Sequence, residues 1–316
     1  MRAKKILIAT ATHYCGGTIV LAQLCRSLTE MGYDARIYPV LYYPTSESQS
    51  IRFYGMCIRS FFARAARRIL FGEKDKMPRH FAGCKVKKTP FYCKKNTIVV
   101  YPELVYGNPL HSKRTVRWLL FHYRYSNDDK AFSPDDMFMG FRDFFNRGVN
   151  VFGENVKCSH FDSDLYKQTN YGRREGNCYF VRKGYVRSDL PKSFDGPVLD
   201  NLSEEEKVEV LNKCKYCYSY DTQTFYSTIA AVCGCISIIV TEPGKEVSDY
   251  GTEEDKRYGV AVGNTPDQLK RAEETRNILL ESLNFEERNK KAAQTFIENV
   301  ESFFNIEMKM RNGRES

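Results

Sequence analysis

One acidic residue and several hydroxyl side chains lie close together in one stretch of the second half of the chain. Asp221 follows a predicted strand over 215–220, and a predicted helix over 222–233 comes next. Free N–H groups at the start of a helix can bind a diphosphate, and a nearby carboxylate can accept hydrogen bonds from ribose hydroxyls. The alternative is that Asp221 only caps the helix by reaching Thr224. The candidate ligand-binding side chains of the stretch are those of Tyr220, Asp221, Thr222, Thr224, Ser227 and Thr228.

A second group of charged residues follows the predicted strand Cys178–Val181. Arg182, Lys183 and Arg187 lie there, with Gly184 among them. Cations at such a place can stabilise negative charge that develops on a diphosphate, without the help of a metal ion. The alternative is that they are ordinary solvated charges at the end of a strand.

Two adjacent glycines, Gly16 and Gly17, stand in a polar loop after the predicted strand Ile6–Ala9. Glycine lets the backbone approach a ligand closely, and a predicted helix begins at this point. The pattern is not the G-x-G-x-x-G dinucleotide fingerprint, because only the adjacent pair is present. His13 lies in the same loop and could face the ligand, although a lone histidine is often structural.

Glu103 and His111 follow the predicted strand Thr97–Tyr101, and we expect both at its carboxyl end. Ligands of open α/β sheets bind at that edge. A carboxylate or an imidazole placed there could take a proton from a hydroxyl group. We expect Glu103 to be the base, and a purely structural role is the alternative.

Short apolar runs alternate with segments of helical spacing in both halves of the chain. This alternation predicts parallel sheets covered by helices, and therefore an α/β protein. A chain of 316 residues can hold two such domains, and we place their boundary near 155–160. The helices predicted for the second half run from Ser203 through Leu211, from Thr265 to about Leu283, and over 286–304.

Positive charge is concentrated in the first half of the chain. The net charge is +9, with +14 over residues 1–160 and −5 over the rest. The segment Ile51–Gly72 contributes five arginines and no acid, interleaved with apolar residues, as in a basic amphipathic helix that lies on an anionic bilayer. A protein–protein contact or an ordinary solvated helix is the alternative. The five arginines are Arg52, Arg59, Arg64, Arg67 and Arg68.

Neither a membrane span nor a disulfide framework is expected. The longest nearly apolar stretch, Ile229–Val240, is too short to cross roughly 30 Å of hydrocarbon. The N-terminal apolar run is too short for a secretory signal, so we expect a cytoplasmic protein. Its eleven cysteines are then expected to be reduced thiols. The protein could still attach peripherally to a membrane. A zinc site is disfavoured because nothing in the pattern requires four sulfurs to converge. Its candidates would be Cys214, Cys217, Cys233 and Cys235.

The segment 220–240 resembles the donor-binding domain of GT-B glycosyltransferases, the nucleotide-sugar-dependent enzymes of polysaccharide and glycan assembly. In that family a second acid follows the first by eight positions, and the helix ends in an Ala-Cys-Gly-like sequence. Asp221 stands at the first acidic position and Gly234 at the glycine, whereas Ile229 occupies the place of the second acid. The resemblance implies an α/β fold of two Rossmann-like domains whose parallel sheets face a central cleft.

The same resemblance implies a division of the chain. Residues 1–158 would form an acceptor-binding domain, and residues 159–285 a domain that binds the nucleotide sugar. Residues 286–316 would form a helix that crosses back to the first domain.

The resemblance also implies roles for individual residues and partners. Arg182 and Lys183 would neutralise the donor diphosphate, and Asp221 would hold the ribose. Glu103 or His13 would act on the acceptor. No metal ion or other cofactor is expected, and the partners would be a nucleotide-sugar donor, a glycan or lipid-linked acceptor and an anionic membrane surface at residues 51–72, without nucleic acid. The other donor-side residues would be Arg187, Tyr220, Thr222, Thr224, Ser227 and Thr228, and the acceptor-side residues Tyr14, Gly16, Gly17 and His111.

Two other classes of function remain open on the sequence. A nicotinamide-dependent or other nucleotide-dependent Rossmann enzyme would need a phosphate loop in the first domain, and the absence of the full glycine fingerprint argues against it. A nucleic-acid-binding protein would use the arginine-rich segment 51–72.

Overall fold

A computed structural model describes residues 2–3, 5–72, 77–125, 127–222, 224–250 and 258–310 of the protein. The chain forms two compact units. Unit 1 comprises Met1–His160 and Phe285–Ser316, and unit 2 comprises Phe161–Asn284. Unit 2 is therefore an insertion between two segments of unit 1.

Unit 1 is built on a five-stranded parallel sheet in the order β3-β2-β4-β5-β6. A short strand, β1 (Arg2–Ala3), precedes this sheet. The sheet strands are β2 (Lys5–Ala11), β3 (Ala35–Val40), β4 (Thr97–Pro102), β5 (Thr115–Leu119) and β6 (Met137–Gly140).

Two long helices accompany this sheet. Helix α1 (Gly16–Glu30) buries Leu21, Leu24 and Leu28, which recur at helical spacing along one face. Helix α2 (Glu47–Phe71) begins at the N-cap Ser46 and ends at Gly72, whose φ of 65° suits glycine.

Unit 2 contains a four-stranded parallel sheet in the order β10-β9-β8-β7. The α/β class with two parallel sheets, predicted from the sequence, is confirmed. The strands are β7 (Asn177–Phe180), β8 (Tyr216–Ser219), β9 (Ile236–Ile239) and β10 (Val260–Val262). The helices are α3 (Glu204–Lys213), α4 (Tyr226–Val232), α5 (Pro266–Glu274) and α6 (Arg276–Ser282).

Helix α3 begins as predicted. The carboxylate of Glu206 accepts a hydrogen bond from Ser203 N at 2.8 Å, and Glu206 N donates to Ser203 Oγ at 3.3 Å. This reciprocal capping box satisfies N–H groups that the first turn leaves without partners.

The single helix predicted from Thr265 to about Leu283 is wrong in one respect, because the chain breaks between α5 and α6. Thr275 lies at the break. Its hydroxyl donates to Arg271 O at 2.7 Å and accepts from Gly259 N at 2.9 Å. A threonine side chain that bonds to backbone groups in this way competes with a continuous helix.

Strand β6 lies within 126–145, where the sequence pattern indicates no strand. All four of its residues are buried. A strand covered on both faces shows no polar alternation, and four residues are too few to stand out from the acidic and aromatic residues around them.

The C-terminal segment returns to unit 1. Helix α7 (Glu286–Phe304) packs against α1, and strand β11 (Glu307–Met308) pairs with β1 in parallel. The Asn289 side chain bonds to both backbone groups of Ser159, donating to its oxygen at 2.7 Å and accepting from its nitrogen at 2.8 Å. Across the described residues, no helix is both long and apolar enough to cross a membrane.

A buried ion pair joins β5 to chain segments outside that strand. Arg117 on β5 is fully buried, and its Nε lies 2.6 Å from Asp136 Oδ2. The same guanidinium donates to Val105 O at 2.9 Å and to Gly107 O at 2.8 Å. One side chain therefore connects a strand to the loop after β4 and to the segment before β6.

We predict that Arg117→Ala lowers the stability of unit 1 by about 3–5 kcal/mol, because it leaves a buried carboxylate without its partner. Urea unfolding followed by fluorescence measures this effect. Trp118, the only tryptophan, is fully buried next to Arg117 in unit 1.

The matched control is Lys130→Ala, which removes an exposed pair with Glu47 in the same unit. Its effect should stay below about 0.5 kcal/mol. Equal unfolding midpoints for Arg117→Ala and the wild type would contradict a structural role for the buried pair.

Candidate functional site

Two loops meet at the carboxyl edge of the unit 2 sheet. A 3₁₀ turn over Arg182–Val186 follows β7, and Tyr220 follows β8. A Cβ on Gly184 would lie only 2.7 Å from Tyr220 O, so only glycine allows this approach. The residues that follow β7 and those that follow β8 are therefore in contact.

Arg182 and Asp221 form the charged centre of this edge. Arg182 Nε lies 3.6 Å from Asp221 Oδ2, and the arginine side chain is 41% exposed while the aspartate side chain is 4% exposed. The backbone of Arg182 has a φ of 43°, and its N–H donates to Asp200 Oδ2 at 2.7 Å. The Asp200 carboxylate thus stabilises an unusual backbone conformation that directs Arg182 towards Asp221.

Tyr226, the first residue of α4, lies under the guanidinium. The Arg182 guanidinium carbon is 5.0 Å from the centre of the Tyr226 ring, which stacks on Phe180. The Tyr226 hydroxyl donates to Glu204 at 2.6 Å, and Lys207 Nζ donates to the same carboxylate at 2.7 Å. Burial alone would raise the pKa of Glu204, but the hydrogen bonds from Lys207, Tyr166 and Tyr226 outweigh it and lower the pKa.

Asp200, Glu204 and Tyr226 were not selected from the sequence. Glu204 carried one available signal, because it opens a helix behind a capping box. The contact between Tyr226 and Arg182 joins residues far apart in the chain, and it depends on strand order that no local pattern encodes.

The helix predicted over 222–233 begins later than expected, at Tyr226. Thr222 and Thr224 therefore lie in the loop ahead of α4 and not in its first turn. The Thr224 hydroxyl accepts from Tyr226 N at 3.3 Å, and Thr224 O accepts from the hydroxyl of buried Ser227 at 3.0 Å. Hydroxyls bonded to nearby backbone favour a turn over a helix. Thr228 is half-buried on α4.

The predicted contact of Arg187 with a diphosphate is not supported by its surroundings. Its guanidinium carries five N–H donors, and five bonds engage them. Two bonds go to the Asp189 carboxylate, and three go to the backbone oxygens of Tyr220, Val240 and Thr241. Arg187 ties together the loops that follow β8 and β9, and its ring contact with Tyr220 adds to this support.

Lys183 is exposed on the 3₁₀ turn, beside Arg182. Tyr220 is half-buried, and its N–H donates to Phe180 O at 2.8 Å. Both residues therefore lie at the edge where Arg182 and Asp221 meet.

In unit 1, Glu103 lies at the carboxyl end of β4, as predicted. It is only 5% exposed, and its Oε2 accepts from Leu120 N, just beyond β5, at 3.1 Å. Burial raises the pKa of Glu103, although hydrogen bonds from backbone N–H groups and the nearby Arg124 oppose the shift. A raised pKa suits a group that exchanges protons near neutral pH.

The glycine loop also lies at the carboxyl edge of the unit 1 sheet, after β2. A Cβ on Gly16 would meet nothing within 4 Å, and one on Gly17 would meet only Leu120. The outer side of this helix start is therefore open. The Thr18 hydroxyl fixes the loop by accepting from Cys15 N at 3.1 Å and donating to His13 O at 2.8 Å.

His13 is exposed, and Tyr14 packs its ring edge-on against His80 at 5.5 Å. The sequence did not single out His80. It is buried, and burial together with the nearby charges of Arg26 and His13 lowers its pKa to about 4. His80 is thus a neutral imidazole beside the glycine loop.

The prediction that places His111 at the carboxyl edge with Glu103 is wrong. His111 packs against Tyr54, and the Lys94 ammonium lies over the same tyrosine ring. Lys94 precedes β4, so His111 lies near the amino end of that strand. Because β4 and β5 run parallel, the chain between them must return along the sheet before β5 can begin.

Within the described parts of the chain, no group of three or more His, Cys, Asp or Glu side chains is arranged to hold a metal ion. The cysteines of the zinc alternative act as buried thiols. Cys235 Sγ, for example, donates to Leu211 O at 2.9 Å.

The sequence matches no protein-family model and no curated protein. Among solved structures, the chain is similar to a glycotransferase of kitacinnamycin, with 10% identity and a TM-score of 0.35 over 96% of this chain and 99% of the other. It is similar to an α-glucosyltransferase in complex with UDP and DNA, with 11% identity and a TM-score of 0.42 over 95% and 97%. A putative UDP-N-acetylglucosamine 2-epimerase from Listeria monocytogenes gives 9% identity and a TM-score of 0.40 over 96% and 97%.

We predict that Glu103→Gln stabilises the protein at about pH 8 but not at about pH 4. An acid whose pKa is raised by folding favours the folded state only while it is protonated, and this contribution is lost as the pH rises through the raised pKa. Glutamine cannot ionise and still offers an oxygen to Leu120 N.

Thermal unfolding of both proteins across this pH range measures the effect. A variant that is less stable than the wild type at about pH 8 would show that the ionised carboxylate is needed for folding.

Proposed function

We propose that the protein is a glycosyltransferase that moves a sugar from a nucleotide-sugar donor to a hydroxyl of a glycan or a lipid-linked acceptor, without a metal ion. The observation that carries this proposal is the Arg182–Asp221 pair at the carboxyl edge of the unit 2 sheet. It offers a cation for a diphosphate and a carboxylate for ribose hydroxyls within one small region.

The donor would be held mainly by five residues. The partly exposed Arg182 guanidinium and the neighbouring Lys183 ammonium would bind the diphosphate oxygens. The hydroxyls of Thr222 and Thr224 lie in the adjoining loop and would donate further hydrogen bonds. Asp221 would accept from the ribose, while Arg187 and Ser227 would support the loops from behind.

The chemistry follows from this placement. The bond between the anomeric carbon and the diphosphate oxygen breaks, and the electron pair leaves with the nucleoside diphosphate. Arg182 and Lys183 stabilise the negative charge that develops on this leaving group. The acceptor oxygen forms the new bond to the anomeric carbon and gives its proton to a base.

Glu103 would be that base on the acceptor side. Its raised pKa and its burial at the carboxyl end of β4 distinguish it from an ordinary surface carboxylate. The open backbone at Gly16 and Gly17, with His13 and Tyr14 beside it, would contact the acceptor.

Helix α2 would attach the enzyme to an anionic membrane. Its buried side chains, Ser50, Phe53 and Cys57, all lie in its first half. Near its C-terminus, Ile69 is 83% exposed and Phe71 is 72% exposed. Nucleic acid would need only the arginines, whereas exposed apolar side chains between arginines suit insertion into a bilayer interface.

We predict that Arg182→Ala weakens the binding of nucleoside diphosphates and lowers turnover, each by at least about tenfold, because the diphosphate loses a charge-assisted partner. A thermal-shift screen against UDP, GDP, dTDP and CMP identifies the nucleotide, and calorimetry then gives its affinity. Turnover with the matching nucleotide sugar should persist in EDTA.

The control is Arg173→Ala, which removes an arginine of the same unit that is 88% exposed and paired with Glu175. It should bind the nucleotide as the wild type does. Unaltered affinity in Arg182→Ala, or a nucleotide effect of equal size in both variants, would overturn the assignment of the donor site.

We predict that serine substitution of Ile69, Leu70 and Phe71 lowers binding to phosphatidylglycerol vesicles by at least about tenfold, because the apolar anchor is lost while every arginine remains. Vesicle sedimentation measures this binding. The control carries Ile278→Ser and Leu280→Ser, two partly exposed residues of α6.

Gel-shift titration with DNA and RNA provides the comparison with nucleic acid. If the triple serine variant keeps full vesicle binding, or if nucleic acid binds more tightly than the vesicles, α2 is not a membrane anchor.

A further inference from the structure

Four aromatic side chains form a partly exposed cluster at the carboxyl edge of the unit 1 sheet. Phe121 and His122 follow β5, and Phe144 and Phe145 lie in a 3₁₀ turn that follows β6. The His122 ring makes edge contacts with all three phenylalanine rings, at 4.9–5.3 Å between ring centres. Phe121 is 48% exposed and Phe144 is 56% exposed. The cluster therefore presents a contiguous apolar surface to solvent, which is a feature of interaction sites.

Two arginines flank the 3₁₀ turn and add charge to this surface. The Arg147 guanidinium carbon lies 4.8 Å from the centre of the Phe144 ring, and that of Arg142 lies 5.9 Å from the centre of the Phe141 ring. Both arginines are exposed. A guanidinium that lies over a ring keeps its N–H donors for another acceptor, and its fork matches the two oxygens of a carboxylate. The cluster thus offers a ligand both an apolar ring face and donors for an anion.

The charge of the turn indicates which anion fits. Residues 142–147 carry Arg142, Arg147 and Asp143, and their net charge is +1. The Asp143 carboxylate accepts a hydrogen bond from the Asn155 amide at 2.5 Å, so it is held beside the two arginines. One carboxylate on a ligand would balance the remaining charge. A phosphate dianion would bring excess negative charge close to Asp143.

The cluster adjoins the candidate base. The Glu103 carboxylate accepts hydrogen bonds from the backbone N–H groups of Leu120 and Phe121, which join β5 to the cluster. A ligand on the cluster would therefore lie beside the loop that holds Glu103. This position at the carboxyl edge of the sheet favours a substrate over a membrane lipid as the occupant.

We propose that the cluster binds a sugar ring of the acceptor that carries a carboxylate, as a uronic acid residue does. This inference rests on the proposed transfer function and adds the chemical class of its acceptor. The C–H groups on one face of a pyranose ring pack on the negative face of an aromatic ring, here that of Phe144 or Phe121. The guanidinium forks of Arg147 and Arg142 bind the carboxylate.

Ligand-observed NMR titrations with methyl glucuronide and methyl glucoside test this inference, because the two sugars differ only in the carboxylate. We expect saturable binding of the glucuronide, at least about fivefold tighter than that of the glucoside, owing to the charge-assisted contact. A double variant, Arg142→Gln with Arg147→Gln, should lose this preference and keep the weaker glucoside binding. Phe144→Leu should weaken the binding of both sugars by at least about threefold, because leucine keeps an apolar side chain without a ring face.

Phe91→Leu and Arg173→Gln are the matched controls. Phe91 is 51% exposed in unit 1, and the Arg173 side chain is 88% exposed in unit 2. Both variants should bind the two sugars as the wild type does. Nucleoside diphosphate affinity should be unchanged in the Phe144 and double arginine variants, and Arg182→Ala should leave glucuronide binding unchanged. A failure of this inference is thereby distinguished from a failure of the proposed donor site.

Three binding results would overturn the inference. They are the absence of saturable glucuronide binding by the wild type, an unchanged preference for the glucuronide in the double arginine variant, and unchanged binding of both sugars by Phe144→Leu. Sedimentation with phosphatidylglycerol vesicles tests the other occupant. If Phe144→Leu lowers vesicle binding as much as the triple serine variant of α2 does, the cluster is a membrane contact and the inference is wrong.

Discussion

The contact between Arg182 and Asp221 is the interaction on which the candidate donor site depends. An ion pair with one partner 41% exposed contributes little to stability, so its importance lies in placing a cation and a carboxylate side by side. Three features impose this placement. Gly184 allows two loops to touch, Asp200 holds the backbone of Arg182, and Tyr226 supports its guanidinium. The charged pair is therefore a product of the parallel sheet, which brings distant parts of the chain to one edge.

Three arginines show how burial and the available acceptors decide the role of one residue type. Arg117 is fully buried and bonds to a carboxylate and two backbone oxygens, so it serves the core. Arg187 uses all its donors on Asp189 and on backbone oxygens, so it fixes loops. Arg182 retains an exposed face and can contact a ligand. Before the contacts were known, the sequence offered no means to separate Arg182 from Arg187, because both follow the same strand.

Features that depend on local sequence were predicted well. The start of α3 at Ser203 and the strand predicted over Thr97–Tyr101 follow from capping and side-chain spacing within a few residues. The position of Glu103 followed from the end of a strand. The two errors have different causes, one local and one tertiary. Local backbone bonds of Thr224 delay the start of α4, and the return path between parallel strands carries His111 away from Glu103.

The packing of the C-terminal helix α7 in the core of unit 1 affects the order in which the two units can fold during synthesis. The core of unit 1 contains Phe296, Ile297 and Val300 from α7, together with Met308. A nascent chain that ends before these residues lacks one wall of that core, although it already holds every strand of the five-stranded sheet. All residues of unit 2 precede Phe285. The unit that emerges second from the ribosome can thus complete its folding first, while the earlier unit waits for the last helix.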